Sequence, residues 1–278
     1  MRDFSNHPVL ITGCSSGIGY HVAHGLHKRG YRVFATARQV EDVARLQAEG
    51  LEALQLDLDH SASIDTAVTE ILSRTGGRLY GLFNNGAYAQ PGCVEDLSRE
   101  ALRLQFETNL FGQHEVTTRV IPAMRAAGQG RIIQNSSVLG FVGLRYRGAY
   151  VASKFALEGL SDTLRLELAG TGIHVSLIEP GPIESEIGPK ALPHFHRHID
   201  IEGSVWRDIY KSELERLGNE PPNRWRLGPE AVLQRVIHAL ESPRPKIRYP
   251  VTTPTYGFAI LKRLLPVRWL DRLQQYAS

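Results

Sequence analysis

A glycine-rich turn close to the start of the chain restricts the fold more than any other stretch. The apolar residues 8–12 have the character of a strand buried on both faces, and Thr-Gly-Cys-Ser-Ser-Gly-Ile-Gly runs on from residue 12 to residue 19. Apolar spacing then predicts a helix over residues 17–29. A strand, a glycine turn and a helix in this order are typical of the first unit of a parallel sheet whose strands are joined through helices.

Strand and helix patterns alternate as far as residue 178. Further strands are predicted at residues 31–37, 51–56, 79–83, 131–134, 173–178 and, after a looser segment, 246–249. Helices are predicted at residues 41–49, 61–75 with Ser61 as N-cap, 98–127 with an interruption at Asn109, 150–170 and 229–241. This alternation, with connections of a few residues, predicts an α/β fold: a doubly wound Rossmann-type parallel sheet of about seven strands with helices on both faces.

The looser part of the chain is assigned to a lid. We expect one domain over residues 1–278, in which residues 188–278 form a substrate lid and a C-terminal extension. His194, His196 and His198 could ligate a metal, but no carboxylate or cysteine pattern accompanies them, so a mobile lid without metal is favoured. A helix over residues 202–217 is expected to end before Pro221-Pro222. The residues expected to line an apolar pocket under the lid are Phe195, Ile199, Val205, Trp206 and Leu217.

The last stretch, residues 256–276, is apolar and basic and is divided by Pro266. Two readings fit this pattern: a helix pair packed on the rest of the protein, or an interfacial helix lying on a membrane. We favour packing, because the apolar residues would bury equally well against a neighbouring element.

Composition limits the classes of function. A net charge of +3 and a pI of about 8.9 are too weakly basic to indicate a nucleic-acid partner. The two cysteines, Cys14 and Cys93, lack metal-type spacing and indicate a reducing compartment. The chain starts without a charged-then-apolar leader and contains no run of 18 apolar residues. We therefore expect a cytoplasmic protein without a transmembrane helix.

Polar residues follow several of the predicted strands. In parallel sheets covered by helices, ligands bind beyond the carboxyl ends of the strands. A glycine turn lets the backbone approach a pyrophosphate, which the N–H groups and dipole of the following helix also attract. The alternative is an ordinary glycine turn with no ligand. The position of this turn, between a strand and a helix near the N-terminus, argues against that alternative. The residues that follow strands are Ser15, Arg38, Asp57, Asn84, Ser137 and Pro180.

Tyr150 and Lys154 lie four residues apart and therefore share one face of a predicted helix. A phenol has a pKa near ~10, and a nearby ammonium favours the phenolate and lowers that pKa. The pair is thus suited to proton transfer with an alcohol or a carbonyl. Alone it is weak evidence, because chance gives roughly 0.2 such pairs in a chain of this composition. Tyr146 is a rival acid, but no lysine follows it four residues on.

Taken together, the motifs resemble the short-chain dehydrogenase/reductase superfamily. They occur in unbroken order over residues 8–187: the glycine turn, Asn-Asn-Gly-Ala from residue 84, a helical Asn109, Ser137, Tyr150-x-x-x-Lys154 and Pro180-Gly181. The Cys-Ser-Ser loop and residues 150–168 are similar to the hydroxysteroid and retinol dehydrogenases and to allied bacterial oxidoreductases. Two departures are minor: the Gly-Ala order is inverted, and Ser185 stands where a threonine is common.

The resemblance implies a role for each residue of the catalytic set. Tyr150 would give a proton to a carbonyl oxygen or take one from an alcohol, and Lys154 would lower its pKa and bind the nicotinamide ribose. Ser137 would hydrogen-bond the same substrate oxygen, and the family offset of thirteen residues selects it over its neighbour Ser136. Asn109 would interrupt its helix and hold a water behind Lys154.

The predicted cofactor is NADP(H). Enzymes that use NAD usually carry an acid at the end of the second strand, where Ala37 stands here and Arg38 follows. Arg38 can meet a 2′-phosphate and Ser15 can add a hydroxyl, while Asp57 is assigned to the adenine edge. The cofactor-binding residues that motif and resemblance together imply are Gly13, Ser15, Ser16, Gly17, Ile18, Gly19, Arg38, Asp57, Leu58, Asn84, Gly86, Tyr150, Lys154, Pro180, Gly181 and Ile183.

We therefore predict an NADP(H)-dependent oxidoreductase that interconverts a small apolar carbonyl compound and its alcohol. The alternative is a non-catalytic dinucleotide sensor or scaffold on the same fold, and the complete set of Asn109, Ser137, Tyr150 and Lys154 argues against it. The resemblance also implies a homo-oligomer that pairs through the long helices near Asn109 and Tyr150. No nucleic-acid partner is expected, and peripheral membrane contact through the C-terminal helices stays open.

Overall fold

The computed structural model describes residues 7–219 and 223–277, and these residues form a seven-stranded sheet. The strands are β1 (Pro8–Ile11), β2 (Arg32–Ala37), β3 (Glu52–Gln55), β4 (Gly81–Asn84), β5 (Gly130–Asn135), β6 (Ile173–Glu179) and β7 (Arg248–Pro250). Their order is β3-β2-β1-β4-β5-β6-β7, and every neighbouring pair is parallel. The order reverses beside β1, which is the point where such sheets bind ligands. The predicted fold class is confirmed.

Helices follow the strands in alternation. They are α1 (Gly17–Lys28), α2 (Val40–Ala48), α3 (Ser61–Arg74), α4 (Arg99–Phe106), α5 (Gln113–Ala126), α6 (Gly148–Glu167), α7 (Ile187–His198), α8 (Arg207–Asn219), α9 (Glu230–Glu241), α10 (Thr253–Leu264) and α11 (Val267–Ala277). A π-helical turn, Glu107–Gly112, joins α4 to α5, and a 3-10 turn, Val138–Gly140, follows β5.

Period-two alternation along the strands builds a core on each face of the sheet. Val9 and Ile11 of β1 pack with Val22 of α1 and Val236 of α9. Leu10 points to the other face and joins the cluster that contains residues of α3 and α5. All three β1 residues are fully buried, as expected for a strand covered on both sides.

Three details differ from the sequence predictions. His60, rather than Ser61, is the N-cap of α3; Ser61 is its first residue and donates its hydroxyl to Glu115. Residues 188–199, predicted as a mobile lid, lie almost entirely in α7, a helix that contains Pro193. The helix predicted over residues 202–217 begins at Arg207. Pro221-Pro222 lie outside the described residues.

The lid region has a small core of its own. Phe195 of α7, Ile199, Tyr210 of α8 and Cys93 bury one another, and Tyr210 accepts a hydrogen bond from the Cys93 N–H at 2.8 Å. Phe195 and Ile199 are buried in this core, whereas Val205 is 85% exposed. That these residues line an apolar pocket stays a prediction. The side chain of Leu217 lies outside the described residues. Whether the lid counts as part of one domain stays a prediction.

The C-terminal extension lies beside α6. The Lys262 ammonium sits 5.0 Å from the ring centroid of Phe155 and 6.0 Å from that of Phe141, which follows the 3-10 turn after β5. Several large apolar side chains of α10 and α11 nevertheless remain exposed. Among the helices of residues 7–219 and 223–277, none is long and apolar enough to cross a membrane.

Candidate active site

The glycine-rich turn is held against the segment that follows β4. Gly13 has φ +69°, and a Cβ there would lie 2.5 Å from the Cα of Gly86, so only glycine fits. Asn85 donates to the carbonyl oxygens of Thr12 and Gly13, both at 3.0 Å. The Thr12 hydroxyl in turn accepts from the N–H groups of Asn85 and Gly86 at 3.0 Å. These bonds fix the turn beyond the carboxyl ends of β1 and β4.

The N-terminus of α1 is arranged to receive an anion. Its N-cap, Ser16, makes no side-chain capping bond to the helix, so that hydroxyl does not occupy the first N–H groups. Two cations that sequence reasoning missed lie here. Arg45 of α2 donates to the Ser15 carbonyl oxygen at 2.6 Å, and Lys190 of α7 donates to the Ser16 hydroxyl at 2.7 Å. Both cations are also paired with carboxylates, Lys190 with Glu186 at 2.8 Å and Arg45 with Asp42 at 3.0 Å. The uncapped N-terminus of α1, with these cations beside it, is the place where a pyrophosphate would fit.

The predicted residues in this turn keep their places. Gly17 has φ +59° and lies opposite Ser185, whose Cβ would be 3.6 Å from a Cβ on that glycine. Gly19 packs on the Gly13 carbonyl, and Ile18 lies against the core cluster of β1. The serine that replaces the common threonine after Pro-Gly therefore sits over the glycine turn.

Three residues assigned to the cofactor have side chains with partners inside the protein, and their cofactor roles stay predictions. Asn84 is fully buried and donates to the Gln113 carbonyl at 3.2 Å and to the Thr117 hydroxyl at 2.8 Å, on the face of α5. The Leu58 side chain is buried in the core cluster that contains α3 and α5 residues. Asp57 accepts from the Asp59 N–H at 3.1 Å and pairs with His60 at 3.2 Å. Asn84 and Leu58 thus offer a cofactor only their main chain.

Arg38 stands just past the end of β2, where the sequence predicts it. Ala37 before it is buried in the core, and the Arg38 residue is exposed. Its carbonyl accepts from Gln55 at 3.0 Å, which leaves the guanidinium out of that bond. Arg38 is also one of the cations that lower the pKa of His194 in α7, after burial as the main cause. Arg38 therefore lies on the lid side of the sheet edge.

Tyr150 and Lys154 lie one turn apart near the start of α6, and the Lys154 Nζ is 5.6 Å from the Tyr150 ring centroid. Lys154 is almost completely buried and donates to the Asn135 carbonyl at the end of β5, at 2.6 Å. Ser137, which caps the 3-10 turn, accepts from the Leu139 N–H at 3.1 Å, and its side chain lies close enough to the Tyr150 hydroxyl to lower the pKa of that phenol. The structure therefore brings Ser137, Tyr150 and Lys154 together.

The two rival residues point elsewhere. Ser136 is buried beside Glu158, and a Cβ on Gly140 would meet the atoms of both. Tyr146 has φ 60° and packs against the small lid core of Phe195 and Tyr210. Neither contacts the Tyr150 hydroxyl as Ser137 does, so the geometry favours the residues that the resemblance selected.

The pKa values of the pair have a common cause. Burial raises the pKa of Tyr150 to about 12, and the Ser137 hydrogen bond opposes this rise. Burial also lowers the pKa of Lys154 to about 8, while Glu158 raises it. The net shift of the Tyr150 pKa is opposite to the lowering that the sequence predicts, because the loss of hydration on burial outweighs the contribution of Ser137. At neutral pH the tyrosine keeps its proton and most of Lys154 is charged.

Asn109 lies in the π-helical turn and is fully buried. It accepts from the Tyr88 N–H at 3.1 Å and donates to the Tyr88 carbonyl at 3.0 Å and to Ser153 at 3.2 Å. The side chain therefore joins the segment after β4 to α6. Its water-holding role stays a prediction. Tyr88 in turn stacks on His194 of α7 with centroids 4.3 Å apart, a lid contact that the sequence did not indicate.

The Pro-Gly segment after β6 closes the same edge. The Pro180 carbonyl accepts from the Val138 N–H at 2.8 Å, beside Ser137, and Gly181 packs on Thr252 before α10. Ile183 is buried in the core cluster of β1. Within the described part of the chain, no cluster of three or more metal-ligating side chains is found, the lid histidines included.

Comparison with known proteins agrees with this geometry. The sequence model described as short chain dehydrogenase matches residues 7–194. The chain is 44% identical to the "Uncharacterized oxidoreductase YbbO" of Escherichia coli over 96% of this chain and 93% of that one. It is 34% identical to human "Retinol dehydrogenase 8" over 86% and 79% of the two chains. It is 32% identical to the "NADPH-dependent 3-dehydrocapnine reductase" of Ornithobacterium rhinotracheale over 95% of each.

A solved structure shares the whole architecture. The crystal structure of a short-chain dehydrogenase from Streptomyces avermitilis superposes with a TM-score of 0.79, at 26% identity, over 100% of both chains. With the family model matching well over half of the residues and this fold behind it, the chain belongs to the short-chain dehydrogenase/reductase superfamily of oxidoreductases.

Proposed function

We propose that this protein is an NADP(H)-dependent reductase of apolar aldehydes or ketones, which also runs in the direction of alcohol oxidation. The observation that carries the proposal is the Tyr150 hydroxyl, which lies beside Ser137 and one helical turn from a buried Lys154. Burial raises the pKa of Tyr150 to about 12, so the phenol carries its proton at neutral pH. Transfer of that proton to a substrate oxygen needs the Lys154 ammonium to stabilise the tyrosinate that forms.

The residues of the chain supply binding and proton transfer. The dinucleotide, when bound, supplies the hydride. The α1 N-terminus, with Arg45 and Lys190, would hold its pyrophosphate, and Lys154 would hold its nicotinamide ribose. Ser137 donates to the carbonyl oxygen as charge develops, and Tyr150 releases its proton to that oxygen. The Lys154 ammonium stabilises the tyrosinate that remains until it is protonated again.

The activity is tested by NADPH oxidation with a panel of aliphatic and aromatic aldehydes, steroid ketones and retinal. We expect turnover with apolar carbonyl compounds and little with small polar ones. NADPH binding without turnover on the whole panel would support the alternative, a dinucleotide sensor.

NADP(H) and a reducing compartment are parts of the same proposal. Arg38 is exposed beside a buried Ala37, so no carboxylate at this strand end repels a 2′-phosphate. A relative is also named for its dependence on NADPH. Cys14 and Cys93 are both buried free thiols, which suits the cytoplasm that we propose as the compartment.

We also propose a homo-oligomer formed through exposed apolar residues of the long helices. Leu104 of α4, Phe111 of the π-helical turn and Phe155 of α6 are 36%, 51% and 42% exposed. They flank Asn109 and Tyr150 in sequence. We expect light scattering to give a mass of at least two chains for the unmodified protein. The substitution Phe111→Glu should reduce this mass. A mass of one chain for the unmodified protein contradicts this.

Peripheral contact with an anionic membrane is proposed for the C-terminal helices. Tyr256, Ile260 and Leu264 recur every four residues along α10 and are 46%, 58% and 73% exposed, and Trp269 of α11 is 58% exposed. The cations of these helices are Lys262, Arg263, Arg268 and Arg272, against one acid, Asp271. A second copy would bring like charges together, whereas anionic lipid would neutralise them.

Vesicle co-sedimentation tests this surface. We expect the protein to bind vesicles that contain phosphatidylserine and to bind pure phosphatidylcholine vesicles little. Leu264→Ser should weaken this binding, and added salt should weaken it as well. Leu166→Ser is the control, because Leu166 is 68% exposed but lies on α6. Equal binding by the two variants, or equal binding to anionic and neutral vesicles, would contradict the proposal.

A further inference from the structure

A buried cluster of carboxylates lies next to the catalytic lysine. Glu158 of α6 and Glu179 of β6 are 7% and 2% exposed, and Arg248 of β7 joins them. The Arg248 guanidinium donates twice to Glu158 Oε2, at 3.0 and 3.2 Å, and lies 3.2 Å from Glu179 Oε1. It also donates to Asp162 of α6 at 2.7 Å. Three carboxylates thus share one guanidinium at the edge of the sheet.

Glu158 is the member of this cluster that faces the active site. It follows Lys154 by four residues, so the two side chains share one face of α6. Its Oε2 accepts from Arg248, whereas its buried Oε1 lies near Ser136, the residue after the Asn135 carbonyl to which Lys154 donates. The Glu158 Oε1 lies 3.1 Å from the position of a Cβ on Gly140, in the 3-10 turn that Ser137 caps. One oxygen therefore binds the cluster, and the other faces the turn below the catalytic residues.

We propose that Glu158 is a positioning residue that keeps the buried Lys154 ammonium charged at neutral pH. The inference rests on the proposed function only where it concerns turnover, because the charge of Lys154 can be measured on the protein alone. The oxygen of Asn135 accepts one hydrogen bond from Lys154 but carries no net charge. Glu158 supplies the negative charge that such a buried cation needs.

The surrounding charges agree with this assignment. Burial lowers the pKa of Lys154 and Glu158 raises it, and the net result is a pKa of about 8. Tyr150 on the same helix is uncharged at neutral pH, since its pKa is about 12. Arg248 favours the ionised form of Glu158, although burial raises the pKa of this carboxyl. Burial raises the pKa of Glu179 to about 7, with Arg248 and Arg263 opposing, so near neutrality this carboxyl takes up a proton.

Removing the Glu158 carboxylate should lower the pKa of Lys154. Lysine is charged below its pKa, so removing the carboxylate lowers the pKa and discharges Lys154 at a lower pH. A neighbouring charge shifts a pKa by about one unit or more, so Glu158→Gln should lower the Lys154 pKa from about 8 to about 7. At pH 8 the charged fraction would then fall from about one half to about one tenth, and at pH 6.5 it would change by less than about 1.5-fold.

The experiment is an NMR titration of the full-length protein with isotope-labelled lysine. The chain has six lysines, and the Lys154 signal is assigned by its loss in Lys154→Met. We expect the Lys154 pKa to drop by about one unit in Glu158→Gln and to recover in Glu158→Asp, which restores the charge. The kcat of carbonyl reduction should fall about fivefold at pH 8 and stay near that of the unmodified enzyme at pH 6.5.

Asp162→Asn is the matched control. Asp162 binds the same Arg248 on the same helix, but it lies eight residues from Lys154, about 12 Å along the axis against about 6 Å for Glu158. It should shift the Lys154 pKa by less than half as much. A shift as large as that of Glu158→Gln, or no shift in Glu158→Gln itself, would overturn the proposal. Because the titration needs no turnover, its outcome stands apart from that of the proposed activity.

Discussion

Tyr150→Phe should lower kcat by roughly 100- to 10,000-fold, the range that general acid catalysis contributes. The substitution removes the hydroxyl that lies beside Ser137 and keeps the ring near Lys154. Dinucleotide affinity should change little, because the glycine turn and the α1 N-terminus are untouched. The measurements are kcat for NADPH-dependent carbonyl reduction and the dissociation constant of NADPH by fluorescence titration.

Tyr146→Phe is the comparison for this substitution. Tyr146 lies four residues earlier in the sequence and also carries a phenol hydroxyl, but it packs against the core formed by α7 and α8. Its variant should retain most of the activity. A Tyr150→Phe enzyme that still turns over at the normal rate would rule out the mechanism. Equal losses in both variants would mean that the fold of this region, and not one proton donor, was affected.

The sheet, and the placing of Ser137, Tyr150 and Lys154 at one site, could be predicted from the sequence because they depend on local patterns. Buried parallel strands appear as short apolar runs, and glycine turns and four-residue spacing can be read directly. Strand alternation also contains a signal that the motif obscured. Asn84 follows Leu82 by two residues and so points to the same face, toward α5 and away from the glycine turn.

The remaining features depend on partners distant in sequence. Lys190 reaches Ser16 across 174 residues, and Arg248 reaches Glu158 across 90. Nothing in the local pattern pairs such residues, since the packing of whole elements brings them together. The rise of the Tyr150 pKa has the same origin, because it is caused by burial, which is a property of the assembled site and not of the four-residue spacing to Lys154.

Arg38→Ala should weaken NADPH binding by roughly 10- to 150-fold and leave NADH nearly unchanged. A charged hydrogen bond contributes about 1.5–3 kcal/mol, and the 2′-phosphate that would receive it is absent from NADH. Ala37→Asp should act in the same direction and also favour NADH, because a carboxylate there repels the phosphate and accepts from the ribose hydroxyl. The measurement is kcat/KM for both cofactors in the three proteins.

Arg45→Ala separates this effect from a general loss of positive charge. Arg45 donates to the Ser15 carbonyl in the glycine turn, a contact that serves the part common to both cofactors. Its loss should therefore reduce kcat/KM for NADPH and NADH by similar factors, whereas Arg38→Ala should change their ratio. A wild-type preference for NADH, or an Arg38→Ala effect as even as that of Arg45→Ala, would show that Arg38 does not select the cofactor.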